Sequence, residues 1–220
     1  MNLSEIRYSL PNGVNLLAVS KGHGVNGIRL LASQGQVDFG ESRLQEALPK
    51  LDSLKDLKDL RWHFIGSLQA NKVRQVVRTF DVIHSIDSLK LAKRISRIAG
   101  EEFKKPRVMA QVKFREDPDK FGFNSNQLLD VWDEFIQLPN IDLVGLMTIA
   151  PMKLDLHQRK NLFRECRLFA DKLELKDCSM GMSGDWQVAV EAGATWIRLG
   201  TALFGSRFES QLRRDINKSN

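Results

Sequence analysis

The sequence predicts a (β/α)8 TIM barrel, an α/β fold formed as one domain over residues 1–220, and three observations predict it. Eight short apolar runs recur along the chain, each bounded by turn-forming residues and each suited to a strand buried on both faces. Stretches with apolar residues at helical spacing alternate with them. The C-terminal ends of the runs carry polar side chains, at the face where this fold binds its ligands. An open doubly wound sheet is the competing architecture. It usually uses fewer strands than the eight runs found here.

Taken in order, residues 3–10 read as a short helix closed by the turn Pro11-Asn12-Gly13. The first strand covers 15–20 and stops on Lys21, and Gly22-His23-Gly24 leads into a helix over 26–33. Val37 to Gly40 is the second strand. Ser42 is then expected to cap a helix with Leu44, Leu48 and Leu51 on one face. Trp62 to Ile65 is the third strand, ending in Gly66 and in Ser67, a further expected N-cap. Val82 to Ile86 is the fourth, and the helix after it carries Leu89, Ala92, Ile95 and Ala99. Pro106 breaks the chain ahead of the fifth strand, Val108 to Phe114. Leu128, Val131, Trp132 and Phe135 follow the spacing of one amphipathic helix. Leu143 to Met147 is the sixth strand, ending at Thr148, and Leu162, Cys166, Phe169 and Leu173 mark the next helical face. Cys178-Ser179-Met180 is a weak seventh strand and Trp196 to Leu199 a clear eighth, with no linker or repeat between any of these elements.

The formal net charge is +6, yet the basic residues are spread along the chain beside acidic ones. The densest cluster, Arg207, Arg213, Arg214 and Lys218, is interrupted by Glu209 and Asp215. With no zinc-finger spacing, arginine-rich tract or aromatic-basic motif, the expectation is no nucleic-acid partner. No apolar run approaches the ~18–20 residues of a membrane span, and Met1 to Leu10 lacks a signal-peptide core, so a cytoplasmic protein without a membrane partner is expected. Cys166 and Cys178 show no metal spacing and read as small buried hydrophobes, and no metal is expected.

Lys21 is the residue with most chemical promise. An amine at the end of a buried strand is partly desolvated, which disfavours the ammonium and frees the amine to attack a carbonyl and form a Schiff base. The alternative is a strand end meeting water. Around the same barrel mouth the sequence places Glu41, Ser67, Ser85, Lys113, Thr148, Ser183 and Thr201. After the last two strands come Ser179 to Asp185 and Arg198 to Gly205, where glycines let backbone N–H groups approach an anion and Ser183 and Thr201 add hydroxyls. A Schiff-base lysine opposite a phosphate cradle describes a pyridoxal 5'-phosphate site. Arg198 can then face the pyridine nitrogen, where a permanent donor leaves that nitrogen unprotonated and the ring a poorer electron sink. A salt bridge inside the barrel is the other reading of Arg198.

The sequence resembles the pyridoxal phosphate homeostasis proteins over nearly its whole length. The resemblance rests on Ala18 to Lys21, Phe39 to Glu41, Trp62 to Lys72, His84 to Ser88, Gly145 to Thr148, Ser179 to Trp186, Gly193 to Thr195 and Arg198 to Thr201. It implies a barrel similar to the N-terminal domain of alanine racemase, with pyridoxal phosphate on Lys21. It further implies that Ser183, Gly184, Gly200 and Thr201 hold the phosphate, that Arg198 faces the ring nitrogen and that Met147 lines the pocket. Ser42 occupies a cofactor-contacting position where the family usually has Asn. Gly22 stands where Thr is common, and Lys113 where Asn is frequent. The implied role is to bind, buffer and deliver the cofactor to apo-enzymes that need it, without established turnover; a monomer is expected because the sequence shows no partner domain.

The residues also weigh against an enzyme. A racemase of this type needs a second base on the far face of the substrate carbanion. The chain's one tyrosine, Tyr8, falls in the N-terminal helix, expected far from the mouth, and His84 is the best remaining candidate for a racemase or decarboxylase. A cofactor-free Schiff-base aldolase, using the same loops for a sugar phosphate, is a third reading.

Overall fold

The computed structural model describes residues 2–117 and 121–205. Eight strands, β1 (Asn15–Val19), β2 (Asp38–Glu41), β3 (Arg61–Phe64), β4 (Val82–Ile86), β5 (Arg107–Gln111), β6 (Asp142–Met147), β7 (Asp177–Ser179) and β8 (Trp196–Leu199), form a closed barrel in chain order. All neighbours are parallel, and β8 returns to pair with β1 from Asn15↔Trp196 to Ala18↔Leu199. The expected barrel is therefore the observed one. Among the described residues the helices are α1 (Leu3–Ser9), α2 (Val25–Ser33), α3 (Leu44–Ser53), α4 (Val73–Thr79), α5 (Leu89–Glu101), α6 (Ser125–Asp130), α7 (Trp132–Ile136), α8 (Leu156–Lys172), α9 (Trp186–Glu191) and α10 (Thr201–Phe204).

The period of two along each strand sorts side chains into two cores. Leu16, Ala18, Phe39, Phe64, Ile83, Val108, Leu146, Ile197 and Leu199 join the helices in the outer core. Leu17, Met109, Met147 and Trp196 fill the barrel interior. Gly145 lets two strands approach closely, since a Cβ there would stand 2.2 Å from the Asp177 carbonyl oxygen.

Four local expectations need correction. Arg43, not Ser42, is the N-cap of α3, because the Ser42 backbone packs on Gly66, where a Cβ would lie 2.0 Å from the Ser42 carbonyl oxygen. Ser67 caps nothing. A 3-10 turn, Ala70–Lys72, follows with Gln69 at its N-cap and leads into α4, which the β-branched run around Val73, Val76 and Val77 had concealed. The fifth strand stops at Gln111, since the Lys113 N–H donates to the Phe123 carbonyl and the Phe123 N–H to the Gln111 carbonyl, outside the barrel. The expected single helix through Leu128 and Phe135 is broken at Val131 (φ −114°, ψ 7°), although both apolar residues still reach the core. The basic cluster Arg207, Arg213, Arg214 and Lys218 lies outside the described residues. Among the described residues no helix is long and apolar enough to cross a membrane.

Candidate functional site

Lys21 lies two residues beyond the end of β1, in a turn completed by Gly22 at φ +78°, and is partly buried. The backbone on either side of it is anchored from α3. The Lys50 ammonium donates to the Ser20 carbonyl at 2.9 Å, and the Gly22 N–H donates to the Glu46 carboxylate. Lys50 also donates to Glu46 at 2.7 Å and to Glu41 at 2.9 Å, while the Ser20 hydroxyl donates to Glu41 at 2.7 Å. Lysine and glutamates thus fix the position of the turn that presents Lys21.

Glu41 itself was expected in the ring of groups at the mouth. It is instead turned outward beneath α3 and sealed, because residues alternate along β2 and Asp38 and Gly40 take the inward positions. Burial raises its pKa against the pull of Lys50, and its Oε2 has no hydrogen-bond partner. Ser85 and Thr148 also serve the backbone, donating to Gly66 O at 2.6 Å and Val112 O at 2.8 Å. Ser67 is exposed and Lys113 partly buried.

The loop after β7 turns at Gly181 (φ +89°), where any Cβ would stand 2.6 Å from that of Ala189. The Asp185 carboxylate closes it, accepting from the Met182 N–H at 2.7 Å and from Arg159 at 2.9 Å. Ser183 and Gly184 are exposed at its tip. After β8, the N–H groups of Leu203 and Phe204 turn back to the Gly200 carbonyl at 2.9 and 3.0 Å. The backbone N–H groups of Ser183, Gly184, Thr201 and Ala202 are left with no partner among the described residues. A Cβ on Gly200 would lie 3.3 Å from the Val19 carbonyl, and the Phe204 ring stacks on His23 with centroids 4.7 Å apart. The Gly200–Thr201 loop therefore sits directly against the turn that carries Lys21.

Arg198 points into the barrel from β8 and is buried. It donates from Nη1 to Ser179 Oγ at 2.7 Å and from Nη2 to the Thr148 carbonyl at 2.9 Å. Its hydrogen-bond partners are a hydroxyl and a carbonyl, and among the described residues no carboxylate is within the salt-bridge distance that the alternative reading requires. Burial lowers its pKa to about 10, which leaves it charged at neutral pH. Two of the five N–H groups of a guanidinium are engaged there, and the others remain for a further acceptor. Met147 is buried in the interior cluster beneath the mouth, and Ser42 is partly buried at the end of β2. Lys21, Ser42, Met147, Ser183, Gly184, Arg198, Gly200 and Thr201 thus all belong to the C-terminal end of the barrel.

Sequence reasoning missed a buried polar line in the interior. His84 Nδ1 lies 2.9 Å from Ser179 Oγ, His84 Nε2 lies 2.9 Å from His63 Nδ1, and His63 Nε2 lies 3.0 Å from Asp38 Oδ1. Asp38 also pairs with Arg61 at 2.7 Å. Burial pushes the pKa of His84 well below 6.5, reinforced by the charges of Arg198 and Arg107, and burial lowers that of His63 against the pull of Asp38. Both ring nitrogens of His84 are engaged within this line. The sequence signal was the inward parity of Asp38, His63 and Arg198 on their strands.

Residues 1–208 match the alanine racemase N-terminal domain family. The pyridoxal phosphate homeostasis protein of Synechocystis sp. is 44% identical over 210 residues, covering 93% of this chain and 96% of that relative. That of Pseudomonas aeruginosa is 41% identical over 199 residues, covering 90% and 86%. The solved structure of PipY from Synechococcus elongatus PCC7942 with PLP bound is similar at a TM-score of 0.89 and 45% identity, covering 92% of this chain and 98% of PipY. An alanine racemase of Clostridium difficile 630 shares the fold at a TM-score of 0.70 and 18% identity, covering 91% of this chain and 59% of the racemase.

Proposed function

The chain belongs to the alanine racemase N-terminal domain family and, within it, to the pyridoxal phosphate homeostasis proteins, and from that premise we propose that it binds pyridoxal 5'-phosphate and maintains its supply without catalytic turnover. The observation that carries this reading is the contact between the Lys21 turn and the Gly200–Thr201 loop across the β8–β1 seam. It sets a nucleophilic amine beside a group of backbone amides with no partner among the described residues, and an aldehyde bearing a phosphate suits both.

In this reading the Lys21 amine holds the cofactor covalently. The amides of Ser183, Gly184 and Thr201, the backbone of Gly200 and the hydroxyls of Ser183 and Thr201 take the phosphate. Arg198 donates to the ring nitrogen from below, and Met147 and Ser42 line the pocket. When bound, pyridoxal phosphate supplies an electron-withdrawing ring that stabilises negative charge next to the amine it carries. A guanidinium cannot hand its proton to the ring nitrogen, which limits that withdrawal.

Acid–base geometry supports a role without turnover. Moving a proton on and off both faces of a carbanion needs two positioned groups. Tyr8 is 95% exposed on α1, whose Arg7 is tied to Gln34 and Gln36 at the opposite face of the barrel. His84, Cys166 and Cys178 are sealed. A carrier acting in the cytoplasm as a monomer, passing the cofactor to apo-enzymes that require it, is the role consistent with this.

Absorption spectra with added pyridoxal phosphate test the reading. A visible band that borohydride reduction bleaches, leaving the cofactor fixed to a Lys21 peptide, and that is lost in Lys21→Ala once unbound cofactor is removed, is expected. A band that persists in Lys21→Ala would refute the covalent assignment. Turnover of any member of a panel of D- and L-amino acids would refute the non-catalytic one.

A further inference from the structure

Arg198, Ser179, His84, His63 and Asp38, drawn from β8, β7, β4, β3 and β2, form one unbroken hydrogen-bonded line through the barrel. Its proton positions can be assigned from its two ends. A guanidinium only donates, so Ser179 Oγ accepts from Arg198 and its own proton goes to His84 Nδ1. His84 then carries its proton on Nε2 and gives it to His63 Nδ1. At the far end Asp38, paired with Arg61, only accepts, so His63 must carry its proton on Nε2. The two ends give the same answer. In the reverse direction the Ser179 proton would have no acceptor and a histidine lone pair would face a carboxylate. Every link therefore points one way, from guanidinium to carboxylate. The dipoles of the hydroxyl and both imidazoles turn their negative ends toward Arg198 and their positive ends toward Asp38, and aligned links of this kind strengthen one another.

We propose that Asp38, His63, His84 and Ser179 are positioning residues for Arg198, a one-way hydrogen-bonded line that orients its guanidinium toward the ring nitrogen and adds, from across the barrel, the pull of a second carboxylate to that of Asp185. This rests on the reading of Arg198 as the ring-facing donor. Two fixed bonds, to Ser179 and to the Thr148 carbonyl, set the plane of the guanidinium and direct its remaining donors. Trp196 packs on both imidazoles, with ring centroids 5.0 Å from His63 and 6.4 Å from His84, and keeps the line dry. The carboxylate end reaches the opposite face, where Asp38 borders a cavity of about 320 Å3 with Arg7, Asn12 and Gln36. A change of charge at that face is thereby felt at the cofactor's ring.

Nitrogen-15 histidine NMR of the cofactor-free protein reads the tautomers directly and needs no variant. Nε2–H at both His63 and His84 at neutral pH is expected; Nδ1–H or an imidazolium at either one overturns the assignment, whether or not the protein binds cofactor. With pyridoxal phosphate bound, Asp38→Asn is expected to shift the visible absorption maximum and weaken cofactor affinity about tenfold, the scale on which outer partners of a ligating group act. Should that variant not fold, Ser179→Ala and Ser179→Thr carry the same test: the alanine is expected to move both readouts and the threonine, which keeps the hydroxyl, to restore them. A folded variant that breaks the line and leaves spectrum and affinity unchanged overturns the proposal. Failure of the wild-type protein to give any band would instead refute the cofactor reading alone.

Discussion

His84 is fully buried and held neutral, and the cost of keeping it so depends on pH. Its folded pKa lies below 6.5, and that of His63 is lowered in the same direction, while in the unfolded chain both return to the ordinary value. The unfolded state then binds protons first as pH falls. Stability is full above about pH 6.5 and drops as pH passes below it, by at most about 1.4 kcal/mol per pH unit for each group. Despite burial, Asp38 is shifted in the same direction by its bonds to His63 and Arg61: its lowered pKa gives stability that is present above its ordinary 3.8 and lost on further acidification. Urea unfolding should therefore show a loss of about 2 kcal/mol between pH 7.5 and 5.5, from two groups, and His84→Gln should remove about half of that slope. A flat profile over that range would show that the imidazoles are not held neutral. Lys50 invites a second measurement. Its removal in Lys50→Met leaves Glu41 buried without its cation and should cost about 3–5 kcal/mol. Because burial already raises the Glu41 pKa, the carboxyl protonates at a pH above its ordinary range, and acidification into that window should recover part of that loss, as should adding Glu41→Gln.

At the scale of elements, turns and glycines decide what the strands can present. Gly66 and Gly184 make opposite predictions. A Cβ on Gly66 would collide with the Ser42 backbone, which cannot yield as a side chain can, so Gly66→Ala should destabilise by about 1–3 kcal/mol or prevent folding. Gly184 has nothing within 4 Å of where its Cβ would stand, and Gly184→Ala should leave unfolding within about 0.5 kcal/mol of wild type. If its amide receives the phosphate, the same methyl should obstruct the anion and weaken cofactor binding, measured by titrating the visible band. The strands were legible because a parallel barrel strand is buried on both faces, so that Val82 to Ile86 and Trp196 to Leu199 stand out as they are built. The helix break at Val131 was not, since α6 and α7 keep a single apolar face across it. The caps misread at Ser42 and Ser67 show the limit of a one-residue signal. A serine ahead of an apolar run caps a helix only when its backbone is not already packed against a neighbouring strand's turn.

For the whole molecule, the same contrast separates the parts of the site. Lys21 and the glycine loops were visible because each sits at a strand end beside turn formers. The line from Arg198 to Asp38 was not, because it exists only once strands far apart in sequence surround one interior. That closure is unevenly secured. β7 has only three residues and shares the single register pair Ser179↔Trp196 with β8, with the rest of the seam carried by loop bonds such as Met180 N–H to Trp196 O and Arg198 N–H to Gly181 O, both 3.0 Å. β8 and β1, by contrast, pair over four residues. A ligand held by Lys21 after β1 and by the loops after β7 and β8 would span three neighbouring strands and brace the weakest join. Bound at a hundred times its dissociation constant, such a ligand adds about 2.7 kcal/mol, a rise in melting temperature of about 5–10 °C for a chain of this size. Amide hydrogen exchange should locate that gain: protection at Met180 and Arg198 should increase more than at the β4–β5 join, and Lys21→Ala should keep only the part due to the phosphate loops. Protection spread evenly round the barrel would mean that the ligand does not bridge these strands.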